Sequence, residues 1–346
     1  VIDFRYHLVS IVAVFLALAV GIVLGAVALP PKVASKLNSE SERALKQNDQ
    51  LNAEISQLKA QVAADGQFAT AAAGILLPHL LQGEKVVLVT APGADSGTVS
   101  GITAALQAAG ATLTGTVSLA PQFFDTDAQT ESTLLTTAGQ LAPAGAGQSG
   151  SAGGQIAGQQ AASKVIAATI MTRTGSVPLT SQQVKADLND FGDQGFLQVS
   201  NPAGGAVLTG QAALAVVIIP GSTPANASSL SPENLTLVSV TQDLGQAGQG
   251  ALLAGSLAGS GNGSAIDAVT SGGAGETVTT VDNADTEIGQ IIVDQALRRE
   301  LDPHAIPTSY GVGPGAVPSP APSSSPTPSV SPSPSHSPHK HKRVKA

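Results

Sequence analysis

Near the carboxyl end, His336, His339 and His341 have a type and spacing that suggest chemistry. Imidazoles this close can hold copper or zinc. In an unstructured tail such a set binds copper weakly, and a polar low-complexity end is the alternative reading. A second candidate is the loop Asp95-Ser96-Gly97. It lies between a valine-rich run and a helical pattern, so it can receive a ligand at the helix N-terminus. Asp and Ser at that position also cap helices without any ligand. Asp282, Asp285 and Glu287 cluster after the last strand signal, where carboxylates can meet a ligand; Asp285 and Glu287 also suit the first turn of the next helix, and capping is the expected role. Gly145-Ala146-Gly147-Gln148-Ser149-Gly150 spells the phosphate-cradling GxGxxG. Leu141-Ala142-Pro143 before it reads as a helix end, so the strand that this motif needs is missing and a flexible Gly/Ser loop is expected. His79, beside Pro78 in a Leu-rich helical stretch, reads as an ordinary partly buried side chain, and His304 follows the last helix.

The remaining chemistry is sparse. There is no cysteine and one methionine, Met171. Disulfides, thiolate metal sites and cysteine nucleophiles are therefore excluded. Neither a P-loop nor a nucleophile elbow is present. No catalytic residue is assigned, no resident cofactor is expected beyond weak copper binding, and the chain reads as a non-enzyme.

Composition bounds the elements that must position these groups. The chain has 346 residues, with 42% apolar but only 3% aromatic side chains, so its core is built from Ala, Val, Ile and Leu. Scarce aromatics argue against a membrane β-barrel, which needs aromatic girdles. The net charge is −8, and Lys340, Lys342, Arg343 and Lys345 crowd the basic charge into the end. The rest is more acidic still, which excludes nucleic acid as a partner. The basic end can touch anionic lipid or cell-wall polymer, or simply aid solubility.

Residues 1–7 form a short N-terminal tail. Leu8 to Leu29 is then 22 residues long, without charge, with Ser10 its one polar side chain. Its length as a helix is about 33 Å, enough for a hydrocarbon core of about 30 Å. Pro30 and Pro31 end it. An uncleaved membrane anchor is expected. Cleavage near Ala26 and Ala28 is the alternative, against which the apolar stretch is longer than a signal core. Lys32, Lys36 and Arg43 after the helix outnumber Arg5 before it. Charge counting would place the long part inside the cell, although long domains translocate largely regardless of charge. Ala13, Ala17, Gly21 and Gly25 recur every four residues and would let two helix backbones approach in lipid.

Residues 33–66 carry a heptad seam. Leu37, Ser41, Ala44, Asn48, Leu51, Ile55, Leu58 and Val62 follow 4-3 spacing. With Ser41, Asn48, Ile55 and Val62 at a, the Leu-rich set falls at d, a pattern for two parallel strands with Asn48 fixing register. Glu54 and Lys59 take g and e positions suited to an interchain pair. A lone amphipathic helix packed on its own domain is the alternative. The expected assembly is a homodimer through Gly21, Gly25, Asn48, Leu51, Ile55, Leu58 and Val62.

Residues 67–301 read as an α/β domain. Lys85–Thr90, a turn, the helical pattern Ile102 to Ala109 and the strand Thr112–Leu119 form a β–turn–α–β unit. Strands are also predicted at Phe196–Val199, Ala213–Ile219, Ala251–Ala254 and Val278–Val281. Helices are predicted at Thr126–Gln140, Ile156–Thr172, Ser181–Phe191, Pro232–Gln246 and Thr286–Leu301. The alternation predicts a Rossmann-like three-layer domain. Residues 302–346 read as a disordered, Pro/Ser-rich tail.

The block Phe4-Arg5-Tyr6-His7-Leu8-Val9-Ser10, running through Ala13–Leu18 and Gly21–Gly25, resembles the mycobacterial copper transport protein B (MctB-like) family of actinobacterial envelope proteins. The resemblance continues through the heptads, Val86–Gly110, Val281-Asp282-Asn283-Ala284-Asp285 and Tyr310-Gly311, covering residues 1 to 315. It implies a cell-envelope protein acting in copper efflux or homeostasis, with its domain outside the cytoplasmic membrane. Soft ligands for Cu(I) are almost absent, and one helix cannot enclose a pore. A dimeric adaptor that recruits or regulates cell-wall remodelling enzymes is therefore the alternative.

Overall fold

The computed structural model describes residues 4–27, 31–141, 156–224, 227–228, 230–271 and 277–320. Its chain divides into two compact units, Val1–Phe68 and Ala69–Ala346.

The first unit is helical. Helix α1, Phe4–Val27, contains an apolar span, Tyr6–Gly25, whose side chains are exposed throughout. Helix α2 is Pro31–Leu76. Proline suits its first turn because the missing N–H would have no helical partner there. The helix runs ten residues past the heptad pattern, and Pro78 forbids much further extension.

The second unit is a mixed α/β fold around one seven-stranded sheet. The strands are β1 Lys85–Thr90, β2 Thr112–Leu119, β3 Leu197–Ser200, β4 Leu214–Ile218, β5 Gly250–Ala254, β6 Thr279–Val281 and β7 Ser309–Tyr310. Their order is β3-β2-β1-β4-β5-β6-β7, parallel except for β3 against β2. The helices are α3 Ser96–Ala108, α4 Ala128–Leu141, α5 Ala157–Ile170, α6 Ser181–Asp193, α7 Pro232–Ala247, α8 Ala265–Thr270 and α9 Glu287–Glu300. A 3₁₀ turn, Pro121–Phe124, precedes α4.

Local chemistry explains the helix starts. Asp95 caps α3, Thr180 and Gln183 form a reciprocal capping box at α6, and Ser231, Ser264 and Thr286 cap α7, α8 and α9. Arg298 and Arg299 complete the last turn of α9, where cations oppose the helix dipole favourably.

Both sheet faces are covered, which is why the central strands read as unbroken apolar runs. Val87, Val89, Val117, Val217 and Leu253 pack with Leu134, Ile166, Leu188, Leu237 and Ile266. Val86, Leu88, Leu214, Val216 and Leu252 pack with Ile102, Leu106, Ile292 and Leu297 on the other face. Ala69, Leu77 and Leu81 join this second layer.

Two expectations need correction. The stretch from 302 is not all tail: β7 pairs with β6, Tyr310 is fully inside the core, and Val317 bridges Tyr310. His79 is not a partly buried helical residue. It sits exposed in the turn after α2, at φ 68°, with Nδ1 2.5 Å from Gln82 Oε1. Pro78 breaks the helix just before it.

Candidate functional site

Strand β1 lies between β2 and β4, so the connections after β1 and β4 lead to opposite sides of the sheet. A crevice opens where the order reverses, and such crevices are the usual ligand sites of open parallel sheets. Here it is an open cleft of about 570 Å³ lined by Gly93, Ala94, Asp95, Ser96, Thr98, Gly221, Ser256, Ala258 and Asp285. The loops after β1, β4, β5 and β6 each contribute.

Asp95 is held by its own helix. Its Oδ2 accepts the Thr98 backbone N–H at 2.7 Å and the Thr98 hydroxyl at 3.0 Å. These bonds hold its carboxyl below the ordinary Asp range, so it stays ionised into acid. The expected capping role is present, and Asp95 nevertheless remains exposed at the cleft. Gly221 passes close by: a Cβ there would lie 3.1 Å from Asp95 Cβ.

The opposite wall is tied from below. The Ser256 hydroxyl donates to Gly221 O at 3.0 Å and receives the Gly259 N–H at 3.0 Å. Asp285 Oδ1 accepts the Leu257 N–H at 3.2 Å. The expectation that Asp285 caps α9 is thus corrected. Thr286 is the cap, receiving the Gly289 N–H at 3.0 Å, and Asp285 reaches back across the sheet end instead. Glu287 does sit in the first turn of α9.

Asp282 was paired with them in sequence but does different work. It is buried, and its two oxygens accept the N–H groups of Val312 and Gly313, each at 2.8 Å. Sequence reasoning missed this latch. Its signal was the Tyr310-Gly311-Val312-Gly313 alternation, which leaves room for the carboxylate.

Electrostatically the cleft favours cations. Among the described residues, the carboxylates of Asp95 and Asp285 line it and no Lys, Arg or His does. Among the described residues that line the cleft, Ser96 and Ser256 have no histidine or lysine beside them. Asp95, Ser96 and Gly97 are therefore together at one end of α3, with Asp95 and Ser96 in the cleft wall.

The other expected site residues lie elsewhere. Gly21 and Gly25 are on α1, with open space around both. Asn48, Leu51, Ile55, Leu58 and Val62 are exposed along α2. His336, His339 and His341, and the Gly145–Gly150 motif, lie outside the described residues. Among the described residues, no three His, Asp or Glu side chains converge to hold a metal ion.

Comparison with known proteins gives one consistent result. The family described as "Copper transport outer membrane protein, MctB" matches residues 1–320. The chain is 33% identical over 318 residues to "Copper transporter MctB" of Mycobacterium leprae (strain TN), covering 91% of this chain and 98% of that protein. It is 30% identical over 322 residues to the proteins of the same name from Mycobacterium bovis (strain ATCC BAA-935 / AF2122/97) and Mycobacterium tuberculosis (strain ATCC 25618 / H37Rv), covering 91% of this chain and 98% of each.

Proposed function

Because the chain belongs to the MctB family of copper transport proteins, we propose that it acts in copper efflux or homeostasis at the cell envelope, anchored by α1 with its α/β unit outside the cytoplasmic membrane. The observation that carries this reading is similarity along nearly the whole chain, from the apolar helix through the last strand. The 20-residue span Tyr6–Gly25 supports the anchor, since it matches a bilayer core of about 30 Å at 1.5 Å per residue. The strand order and the two covered faces support reading the α/β unit as a three-layer, Rossmann-like domain.

In this reading the protein binds and presents rather than catalyses. A single apolar helix has no lumen, so copper handling falls to the α/β unit and to the histidines of the tail. The acidic cleft would draw a cation toward the carboxyl end of the sheet through Asp95 and Asp285. The histidines would add borderline nitrogen ligands suited to copper.

A second reading, an envelope adaptor that recruits or regulates cell-wall remodelling enzymes, draws on the same face. Exposed Leu257 and Ile288 flank the Asp285 contact and give the acidic rim an apolar component. A deletion strain separates the two. Copper sensitivity with normal morphology, rescued by the intact gene, supports the copper reading. Chained or misseparated cells at ordinary copper, without copper sensitivity, overturn it in favour of the adaptor.

A further inference from the structure

Helix α2 presents an apolar face that is exposed among the described residues. Leu51, Ile55, Leu58 and Val62 are 55%, 47%, 61% and 65% exposed. They stand at alternating steps of four and three residues, the interval that keeps one stripe in line along a supercoiled helix. Side chains off the stripe are overwhelmingly polar or small: Asn52, Glu54, Ser56, Gln57, Lys59 and Gln61. A helix this polar gains little from burying itself broadly in a core, and its stripe is only as wide as a two-helix seam.

We propose that the Asn48–Val62 face of α2 is the docking surface for the same face of a second copy of this chain, running parallel. The seam is self-complementary, since each a or d residue would meet its own counterpart. Ile55 and Val62 at a with Leu51 and Leu58 at d is the combination that favours two strands. Asn48 at a bonds within its own helix, its Oδ1 accepting Asn52 Nδ2 at 2.8 Å, and its amide N–H groups are free in direction to meet a second Asn48.

Charge selects the direction. Glu54 falls at g and Lys59 at the next e, the two positions that face each other between parallel helices. An antiparallel pair would instead bring like positions together. The seam is also bounded. Asp65 occupies the next d position and would place two carboxylates at the dimer axis, so the contact stops at Val62.

Two strong heptads alone make a marginal dimer. Here both copies would be confined to one membrane by α1, which raises their effective concentration and favours the same orientation. The open surfaces at Gly21 and Gly25 allow the membrane helices to approach as well.

The absence of cysteine makes the test direct. Full-length Val62→Cys, at the seam, and Ala60→Cys, on the opposite side of α2, are reconstituted separately into vesicles at high lipid-to-protein ratio and oxidised. The expected result is at least tenfold faster dimer crosslinking for Val62→Cys, persisting on further lipid dilution. Leu51→Asp with Leu58→Asp in the Val62→Cys chain should abolish it while circular dichroism of the α/β unit is retained. Equal rates for the two single-cysteine chains, or a single chain per particle in nanodiscs by mass photometry, overturns the proposal. An antiparallel seam would show Val62→Cys unreactive with itself, which also overturns it. None of these readouts depends on copper.

Discussion

The carboxylate of Asp282 occupies the space where a side chain on Gly311 would begin: a Cβ there would lie 1.9 Å from Asp282 Oδ1. Gly311 also has φ 130°, a conformation that side-chain-bearing residues rarely adopt. The pair fastens β7 to β6, because the same carboxylate takes the N–H groups of Val312 and Gly313.

Asp282→Ala removes two charge-assisted bonds from a buried loop and leaves both N–H groups without their partner. It should destabilise the α/β unit by about 2–4 kcal/mol. Chemical denaturation followed by circular dichroism measures the loss. Hydrogen exchange should quicken first at residues 309–317. Gly311→Ala should be of comparable severity, since it meets the carboxylate and the backbone strain together.

Asp294 should make the fold less stable as pH rises. It is fully buried on α9, neither carboxylate oxygen has a hydrogen-bond partner among the described residues, and burial pushes its pKa from 3.8 up to about 8. Between these values the folded state holds a proton that the unfolded chain has released, so stability declines with pH across that window. The loss approaches about 1.4 kcal/mol per pH unit where the difference is complete. Asp187, Asp243 and Glu300 are raised in the same direction by burial and add to the trend. Asp294→Leu should stabilise the unit at pH 7 and flatten its stability profile between pH 4 and 8. A variant that is less stable than the parent at pH 7 would contradict this.

Asp95 should act in the opposite sense. Its folded pKa is lowered by the Thr98 N–H and hydroxyl, so its contribution is present above the unfolded value of 3.8 and fades as pH falls through the lower folded value. Backbone exchange in the first turn of α3 should therefore accelerate only in acid. Asp95→Ala should show the accelerated exchange at neutral pH.

The cleft's charge can be separated from its structure. Asp95→Asn keeps an oxygen for Thr98, and Asp285→Asn keeps one for Leu257. The double variant should retain its melting temperature within a few degrees. If the cleft draws copper, it should fail to restore copper tolerance to a deletion strain. Full restoration would move copper handling away from this cleft.

Much of the α/β unit was legible because its signals are local. Ala213–Ile219 contains β4 because the apolar run between Gln211 and Pro220 has no helical period to follow. The cap at Asp95 was legible because it precedes an apolar repeat at helical spacing. Helix α8 was missed: six residues after a Gly/Ser-rich loop give no periodicity to read, and only Ser264 marks its start. Strand β7 was missed because two residues carry no alternation, and its place depends on Asp282, far away in sequence. Asp285 misled for the same reason. Next to a helix it reads as a cap, whereas its partner is Leu257, 28 residues earlier. Asp294 had no local signature apart from its place among Ile291, Ile292, Val293 and Ala296, a core face on which a carboxylate is costly.

Strand β7 also imposes an order of events on biosynthesis. Until Ser309 and Tyr310 have left the ribosome, β6 remains an open flank of the sheet, and the space that the tyrosine ring fills is empty. A nascent chain halted before residue 309 would carry β6 as an open edge, paired on one side alone, and a hollow core layer, a prime target for quality-control proteases. The α/β unit therefore reaches its protected form only once β7 has been made, so closure of its core waits on these two residues.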